Sequence, residues 1–228
     1  VFEQTVARVG EAGLSLGLTS KLDDLDNPDS LFHAEAASGL LLSGPGARLI
    51  SVVVPTLNER ECLPRVLAPV LAAGPGVEVI VADGGSRDGT LELVHSLGLR
   101  VLNCKRGRAV QMNAGASAAA GEYLLFLHAD TLLPTGFDHL VRSTLEHPDI
   151  SVGAFRLDLD SDHAGLRAIE RTTWFRCRVM GLPFGDQALF VRNGDFRRIG
   201  GFPEIELMED YELVRRLAGC GRGEGLDQ

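Results

Sequence analysis

No C-x-x-C pair occurs in this chain, and its four cysteines, Cys62, Cys104, Cys177 and Cys220, are scattered at no metal-ligand spacing. They read as reduced packing residues, which fits a cytosolic compartment. No apolar run approaches the roughly 20 residues that span a bilayer. The first residues also lack a basic segment followed by an apolar core. The expectation is a cytoplasmic protein, free to make peripheral contact with the inner face of the cell membrane. Positive charge is short as well: 22 Lys and Arg stand against 31 Asp and Glu, a formal net charge of -9. Phosphate-backbone affinity comes from clustered Lys and Arg, so nucleic acid is not an expected partner. Internal repeats and low-complexity tracts are absent too.

What is present is core material. The 228 residues are 45% hydrophobic, enough for one domain of about 150 to 200 residues plus an appendage. From Leu49 onward, short runs rich in β-branched residues and leucine alternate with helical stretches, the rhythm of an α/β domain with a mostly parallel sheet. The strands drawn are LISVVV, VEVIVA, RVLNC, EYLLFL, SVGAFRL and ALFV. Several are apolar throughout, as strands covered on both faces should be. Helices are expected in RECLPRVLAPVLAAG, kinked or shortened by Pro69, and in RDGTLELVHSLG, capped by Asp88 and closed at Gly98. Others fall in GRAVQMNAGASAAAG, ended at Gly121, in PTGFDHLVRSTLEH, in HAGLRAIERTTWFRCRVMG and in LMEDYELVRRLAG. Before about Arg48 the pattern differs. It reads as a helix, FEQTVARVGEAG, a strand, LSLGL, an acidic loop and a second helix, with a boundary near Pro45.

Ligands of open parallel sheets bind beyond the carboxyl ends of the strands. Four such ends carry polar residues. PTLNE offers Thr56, Asn58 and Glu59, although Asn58 could instead cap a helix. In ADGGSRDGT, Gly84 and Gly85 permit a sharp turn; Asp88 sits at the helix start, which leaves Asp83 with no structural duty and points it to a ligand. Lys105, Arg106 and Arg108 gather before a helix amino end and suit a diphosphate, or else form a solvated basic surface. LHAD places Asp130 at the mouth of a buried strand, where a divalent cation would be its strongest partner.

Taken in order, VVVPTLNE, DGGSRDGT, GRAVQMNAG, FLHADT, GLPFGDQALFVR and GGFPEIELMEDYEL resemble the glycosyltransferase family 2 enzymes, inverting transferases of GT-A fold that use nucleotide-diphospho sugars. The resemblance covers Leu49 to the end and implies a Rossmann-like, mostly parallel central sheet flanked by helices. It implies that Pro55, Thr56, Asn58, Glu59, Asp83 and Gly84 line the nucleoside side of a donor site, with Arg108 and Gln111 nearer the diphosphate or sugar. Asp130 would hold Mn2+ or Mg2+, and Gly185, Asp186 and Gln187 would face sugar and acceptor. Asp210 would be the general base, supported by Glu209, although an acidic first helical turn is its structural alternative. His128 departs from the pattern, since many members have Asp there; it joins Asp130 as a candidate metal ligand, favouring Mn2+, or binds a nucleotide oxygen.

The implied donor is a nucleotide-diphospho sugar, a UDP-sugar first among them, and the acceptor a small molecule or lipid. Weaker likeness points to bacterial members that glycosylate arsenosugars or carotenoid acids. A nucleotidyltransferase and a non-catalytic nucleotide-sugar binding module stand as alternatives. Residues 1–47 resemble the tail of a nucleotidyltransferase-like, GT-A-related domain, so the chain reads as an upstream remnant with linker followed by a transferase domain at 48–228 that is cut short at its carboxyl end. A family-specific extension packed on the transferase is the other reading of that segment.

Overall fold

The computed structural model describes residues 5–9, 14–18, 48–155, 188–205 and 207–220. Strands β1 (Thr5–Val9) and β2 (Leu14–Leu18) come first. Then β3 (Ile50–Thr56), α1 (Leu63–Ala72), β4 (Val77–Asp83), α2 (Thr90–Ser96), β5 (Arg100–Asn103), α3 (Arg108–Ala118) and β6 (Tyr123–Phe126) alternate. The remainder is α4 (Phe137–Glu146), β7 (Ile150–Ala154), β8 (Leu189–Arg192), α5 (Asn193–Arg198) and α6 (Glu209–Cys220). The described strands form one sheet in the order β1-β2-β7-β8-β6-β3-β4-β5.

β3 lies between neighbours parallel to it, pairing with β4 from Ile50↔Val77 to Thr56↔Asp83 and with β6 from Ile50↔Tyr123 to Val53↔Phe126. Its apolar run is a consequence of burial on both faces. Ile50, Val52 and Val54 meet α1, α2 and α4 on one side, whereas Val53 meets α3, α5 and α6 on the other. The chain steps outward from β3 to β4 and β5, then α3 carries it back to β6 on the far side of β3. This reversal opens a crevice at the carboxyl ends of β3 and β6, the place where such sheets bind ligands. β8 runs antiparallel between β6 and β7, so the sheet is mostly parallel, as its sequence rhythm predicts.

The amino-terminal segment differs from expectation. Thr5–Val9, inside the predicted helix, is a strand that pairs antiparallel with β2, and β2 pairs parallel with β7 from Ser15↔Ile150 to Leu18↔Ala154. Thr5, Val6 and Val9 are β-branched, and the open edge of β7 supplies the backbone partners that a strand requires. Helix α1 runs through Pro69 and stops at Ala72. α3 ends at Ala118 rather than Gly121, whose N–H turns away to Ser51 Oγ at 2.8 Å. At the start of α2 the N-cap is Gly89, in the left-handed region, rather than Asp88 as expected. Asp88 stands one residue earlier and its Oδ1 accepts the Thr90 N–H at 3.0 Å, while the closure expected at Gly98 is found. Gly98 and Leu99 return their N–H groups to His95 and Val94, the Schellman arrangement. The helix expected over 163–181, with Trp174 and Phe175, lies outside the described residues.

A surface cavity of about 440 Å³ opens at the opposite, amino end of the sheet beside Arg48, Glu146 and Arg192. Its charges already pair internally, Arg48 with Glu122 and both Arg192 and Arg198 with Asp195. The polar strand ends lie elsewhere.

Candidate functional site

At the carboxyl ends of β3 and β4 the structure turns several expected ligand contacts into internal ones. Asp83 is buried and accepts from Thr56 Oγ1 at 3.2 Å, from the N–H groups of Gly85 and Ser86 at 2.8 and 2.9 Å, and from Ser86 Oγ. A carboxylate offers about four lone-pair sites, and these contacts use them. The expectation that Asp83 has no structural duty is therefore corrected: it holds together the turn in which Gly85 adopts φ +98°. Gln111 is likewise consumed. Its Nε2 donates to the carbonyls of Thr56 and Ala82, both at 2.8 Å, and its Oε1 accepts the Gly107 N–H at 3.3 Å. Instead of reaching towards a diphosphate, this buried amide ties two strand ends to the start of α3.

Asn58 caps no helix. With φ +59° it donates its N–H to Ser86 Oγ and accepts the Arg87 N–H on Oδ1, each at 2.8 Å, stapling the β3–α1 loop to the β4–α2 loop. Glu59 donates its N–H to Thr90 Oγ1 at 3.0 Å. Its carboxyl group is pushed up in pKa, first by burial and then by the negative charges of Asp130 and Asp88. Glu59 thus faces Asp130 across the crevice. Pro55 and Gly84 stand at the ends of β3 and β4, where the Gly84 N–H continues the ladder to Thr56 O at 2.9 Å.

A second group gathers at the mouth of β6. Leu127 still pairs with β3 through its N–H to Val53 O at 3.0 Å, after which His128 to Thr131 form a turn closed at 3.1 Å. The His128 ring lies low in pKa, held there by burial and by the Arg108 guanidinium, and is drawn back up by Asp130 and Asp210. Those charges act on the ring only because they face it from nearby. Arg108, the first residue of α3, pairs with Glu209 at 3.5 Å, and Glu209 and Asp210 open α6, both largely buried. Residues from four separated stretches therefore lie within electrostatic reach of one another, Glu59, Arg108, His128 with Asp130, and Glu209 with Asp210, with Arg108 and Glu209 in direct contact. Lys105 and Arg106 remain exposed, and Gly185, Asp186 and Gln187 lie outside the described residues.

Asn113 is a positioning residue that the sequence reading passed over. Its side-chain amide donates to the Phe202 carbonyl and accepts the Phe202 N–H, both at 2.9 Å. This clamp, backed by the Phe126, Phe196 and Phe202 rings with centroids 4.7 to 5.5 Å apart, fixes the loop that delivers Glu209 and Asp210. Gly201 before it sits at φ +74°, and a Cβ there would come within 2.6 Å of Asn113 Oδ1. The signal was available in sequence only as one of the few polar residues, with Arg108, Gln111 and Ser117, on a helix rich in alanine.

Residues 51–197 match the family described as glycosyl transferase family 2, which is more than half of the chain. The chain belongs to glycosyl transferase family 2. A relative from Aeromonas hydrophila, undecaprenyl-phosphate 4-deoxy-4-formamido-L-arabinose transferase, is 33% identical over 123 residues, covering 48% of this chain and 37% of its own length. The family 2 chain thus spans a little over a third of that curated relative. Among solved structures, S. aureus TarS superposes with a TM-score of 0.61 at 20% identity, over 75% of this chain and 55% of TarS. A mannosyltransferase from Pyrobaculum calidifontis, solved with GDP-Man and Mn2+, gives 0.56 at 21% identity, over 84% and 59% of the two chains. These likenesses establish the shared GT-A fold.

The residues of this family 2 domain suit a divalent cation. Asp130 presents an exposed carboxylate at the crevice, and the buried Nε2 of His128 has no hydrogen-bond partner. Among the described residues no three carboxylates, imidazoles or thiols converge into a cation cage, so a ligand's own oxygens would have to complete the shell.

The depressed His128 pKa has a thermodynamic consequence. The folded state binds this proton less readily than the unfolded chain. The associated stability is therefore complete above the ordinary histidine value of 6.5 and is lost as pH falls through the lowered one. In metal-free buffer, melting temperature should drop more from about pH 7 to about pH 5 in the parent than in His128→Gln. Parallel profiles for the two would contradict this assignment.

Proposed function

We propose that this domain transfers a sugar from a nucleotide-diphospho sugar to an acceptor hydroxyl or carboxyl group with inversion at the anomeric carbon. The observation that carries the reading is the meeting of Asp130, His128, Arg108 and the Glu209–Asp210 pair at the switch point of the sheet. Cationic and metal-suited groups there fit a leaving diphosphate. The Asp210 carboxylate, which acts on the same His128 ring, fits a base.

In this reaction the acceptor oxygen bonds to the anomeric carbon as its proton passes to Asp210. The bond from that carbon to the diphosphate oxygen breaks, and its electron pair leaves with the diphosphate. Arg108 stabilises the charge that develops there, and Glu209 holds Arg108 in place. Mn2+ or Mg2+ at Asp130 would, when bound, add further charge neutralisation. Pro55, Thr56 and Gly84 form the floor for the nucleoside, with Asp83 and Asn58 shaping the two loops around it. Gly185, Asp186 and Gln187 are assigned to sugar and acceptor on the motif resemblance alone.

Ile205, Leu207 and Met208 are exposed immediately before Glu209, Leu207 by 79%. An apolar rim beside the base favours a lipid-like acceptor, and the Aeromonas relative is named for an undecaprenyl-phosphate substrate. A UDP-sugar is the preferred donor class. Among the described residues no helix is long and apolar enough to cross a membrane; contact with the cytoplasmic face of one is the corresponding reading of location. Pairing of β2 with β7 supports an amino-terminal segment that packs on the transferase rather than the tail of a separate domain.

A panel of nucleotide sugars with and without Mn2+, read by thermal shift, tests the proposal. Ligand at a hundred times its Kd stabilises the folded state by about 2.7 kcal/mol, roughly 5 to 10 °C for a domain of this size. Absence of any shift across UDP- and GDP-sugars at about millimolar concentration, with the protein folded, would sink the reading.

A further inference from the structure

Helix α6 begins against local rules. The backbone bond that opens it runs from the Glu212 N–H to the Met208 carbonyl at 3.1 Å, so Met208 stands where helices ordinarily place Ser, Thr, Asp or Asn to cap the free N–H groups. A thioether is a poor substitute, being only a weak acceptor. Met208 also holds φ at +67°, a left-handed conformation that glycine adopts without strain and a long side chain seldom enters. Burial does not offset that strain, since Met208 is 47% exposed. A residue that serves neither helix nor core points to a functional reason for its presence. Its surroundings indicate which one. Among the described residues six large hydrophobic side chains are exposed, and four of them, Leu132, Ile205, Leu207 and Met208, lie within a few residues of Asp130 or of the Glu209–Asp210 pair. Single exposed hydrophobics are ordinary on a protein surface, but their concentration on the two loops that carry the crevice carboxylates marks a surface that a ligand covers.

We propose that Met208, flanked by Leu207, Ile205 and Leu132, is a specificity-determining residue whose side chain packs against the hydrocarbon chain of an amphiphilic acceptor while the acceptor's hydroxyl or carboxyl group reaches Asp210. The inference rests on the transferase reading and adds to it the residue that selects the acceptor. An unbranched, polarizable thioether side chain adapts its shape to a flexible hydrocarbon. Glycine in its place would relax the backbone and leave no side chain to select with. The strain at Met208 and the exposure of its side chain thus have one explanation.

The chain holds three methionines, so labelling their methyl groups with 13C gives a simple spectrum in which Met208 is identified by its loss in Met208→Gly. Decyl glucoside, below its micelle-forming concentration, is compared with butyl glucoside on the whole chain in the presence of UDP or GDP and Mn2+, with affinities from calorimetry. The two share a hydroxyl-bearing head and differ only in the length of the chain. Expected is a saturable shift of the Met208 methyl resonance with decyl but not butyl glucoside, while that of the buried Met112 stays in place. Met208→Gly should weaken decyl glucoside binding about tenfold or more and leave the melting temperature unchanged or a few degrees higher, because the backbone strain is relieved. Met208→Leu, which keeps an apolar side chain, should retain most of the affinity. Absence of decyl glucoside binding, or binding that leaves the Met208 methyl unmoved and is equal in Met208→Gly, overturns the assignment while the transferase reading stands. A Met208 resonance that responds to protein concentration and to neither glucoside overturns it too, by making this surface a contact between copies of the chain. If no nucleotide sugar stabilises the folded protein, the transferase reading falls, and the acceptor assignment with it.

Discussion

Asp210→Asn is expected to lower turnover by about 10²- to 10⁴-fold, the range for loss of a positioned general base. Donor affinity should stay within about twofold of the parent, because the lost interaction belongs to the transition state. The substitution is nearly isosteric. Asn can still accept the Tyr211 N–H that Asp210 Oδ1 receives at 3.1 Å, and the surrounding order is set by other groups: the Asn113 clamp on Phe202 and the Arg108–Glu209 pair. What disappears is the capacity to take a proton. Turnover is to be measured with the nucleotide sugar that stabilises the parent, and affinity from the concentration dependence of its thermal shift. Unchanged turnover would place the base elsewhere. Equal loss of donor binding would make Asp210 part of the donor site. A module that only binds nucleotide sugar would show no turnover in the parent, and a nucleotidyltransferase would make its product without needing Asp210.

Asp83→Ala should be the largest stability change among the strand-end residues. The substitution removes a buried acceptor from two backbone N–H groups and two hydroxyls. Hydrogen bonds to charged groups contribute about 1.5 to 3 kcal/mol each, and buried donors left unpaired carry a desolvation cost. Some of the freed groups can turn to water at the turn, so the expected loss is about 3 kcal/mol or more, a fall in melting temperature of roughly 6 to 12 °C. Asp83→Asn should lose less, since its carbonyl oxygen keeps part of the acceptor set. Chemical denaturation of the three proteins in nucleotide-free buffer checks this. A melting temperature within about 2 °C of the parent for Asp83→Ala would mean that the internal contacts contribute little, returning the residue to a direct role in ligand recognition.

Much of the scaffold was legible before any coordinates. β3 and β4 announce themselves as largely apolar runs, interrupted only by Ser51 and Glu78 before their polar ends, because core covers both faces of the sheet, and Gly98 closes α2 as its position after the helix predicts. Local rules work where the partners are local. The first strand was missed for the opposite reason: Thr5–Val9 becomes a strand through pairing with β2, and β2 in turn is held by β7 more than a hundred residues later. Gln111 and Asn113 follow the same logic. Their amides bind backbone 55 and 89 residues distant, and no spacing rule reports such a contact.

The amino-acid sequence alone determined the family, the mostly parallel sheet and the strand ends at which polar residues would be found. Hydrophobic periodicity and motif order are properties of a linear chain. Only the tertiary structure decided which of those polar groups the fold uses up and which it leaves facing the crevice. Asp83 and Gln111 are spent on neighbouring loops and strands, while His128, Asp130, Arg108 and the Glu209–Asp210 pair meet. A buried polar atom must find a partner, and in a parallel sheet the available partners come from crossovers remote in sequence.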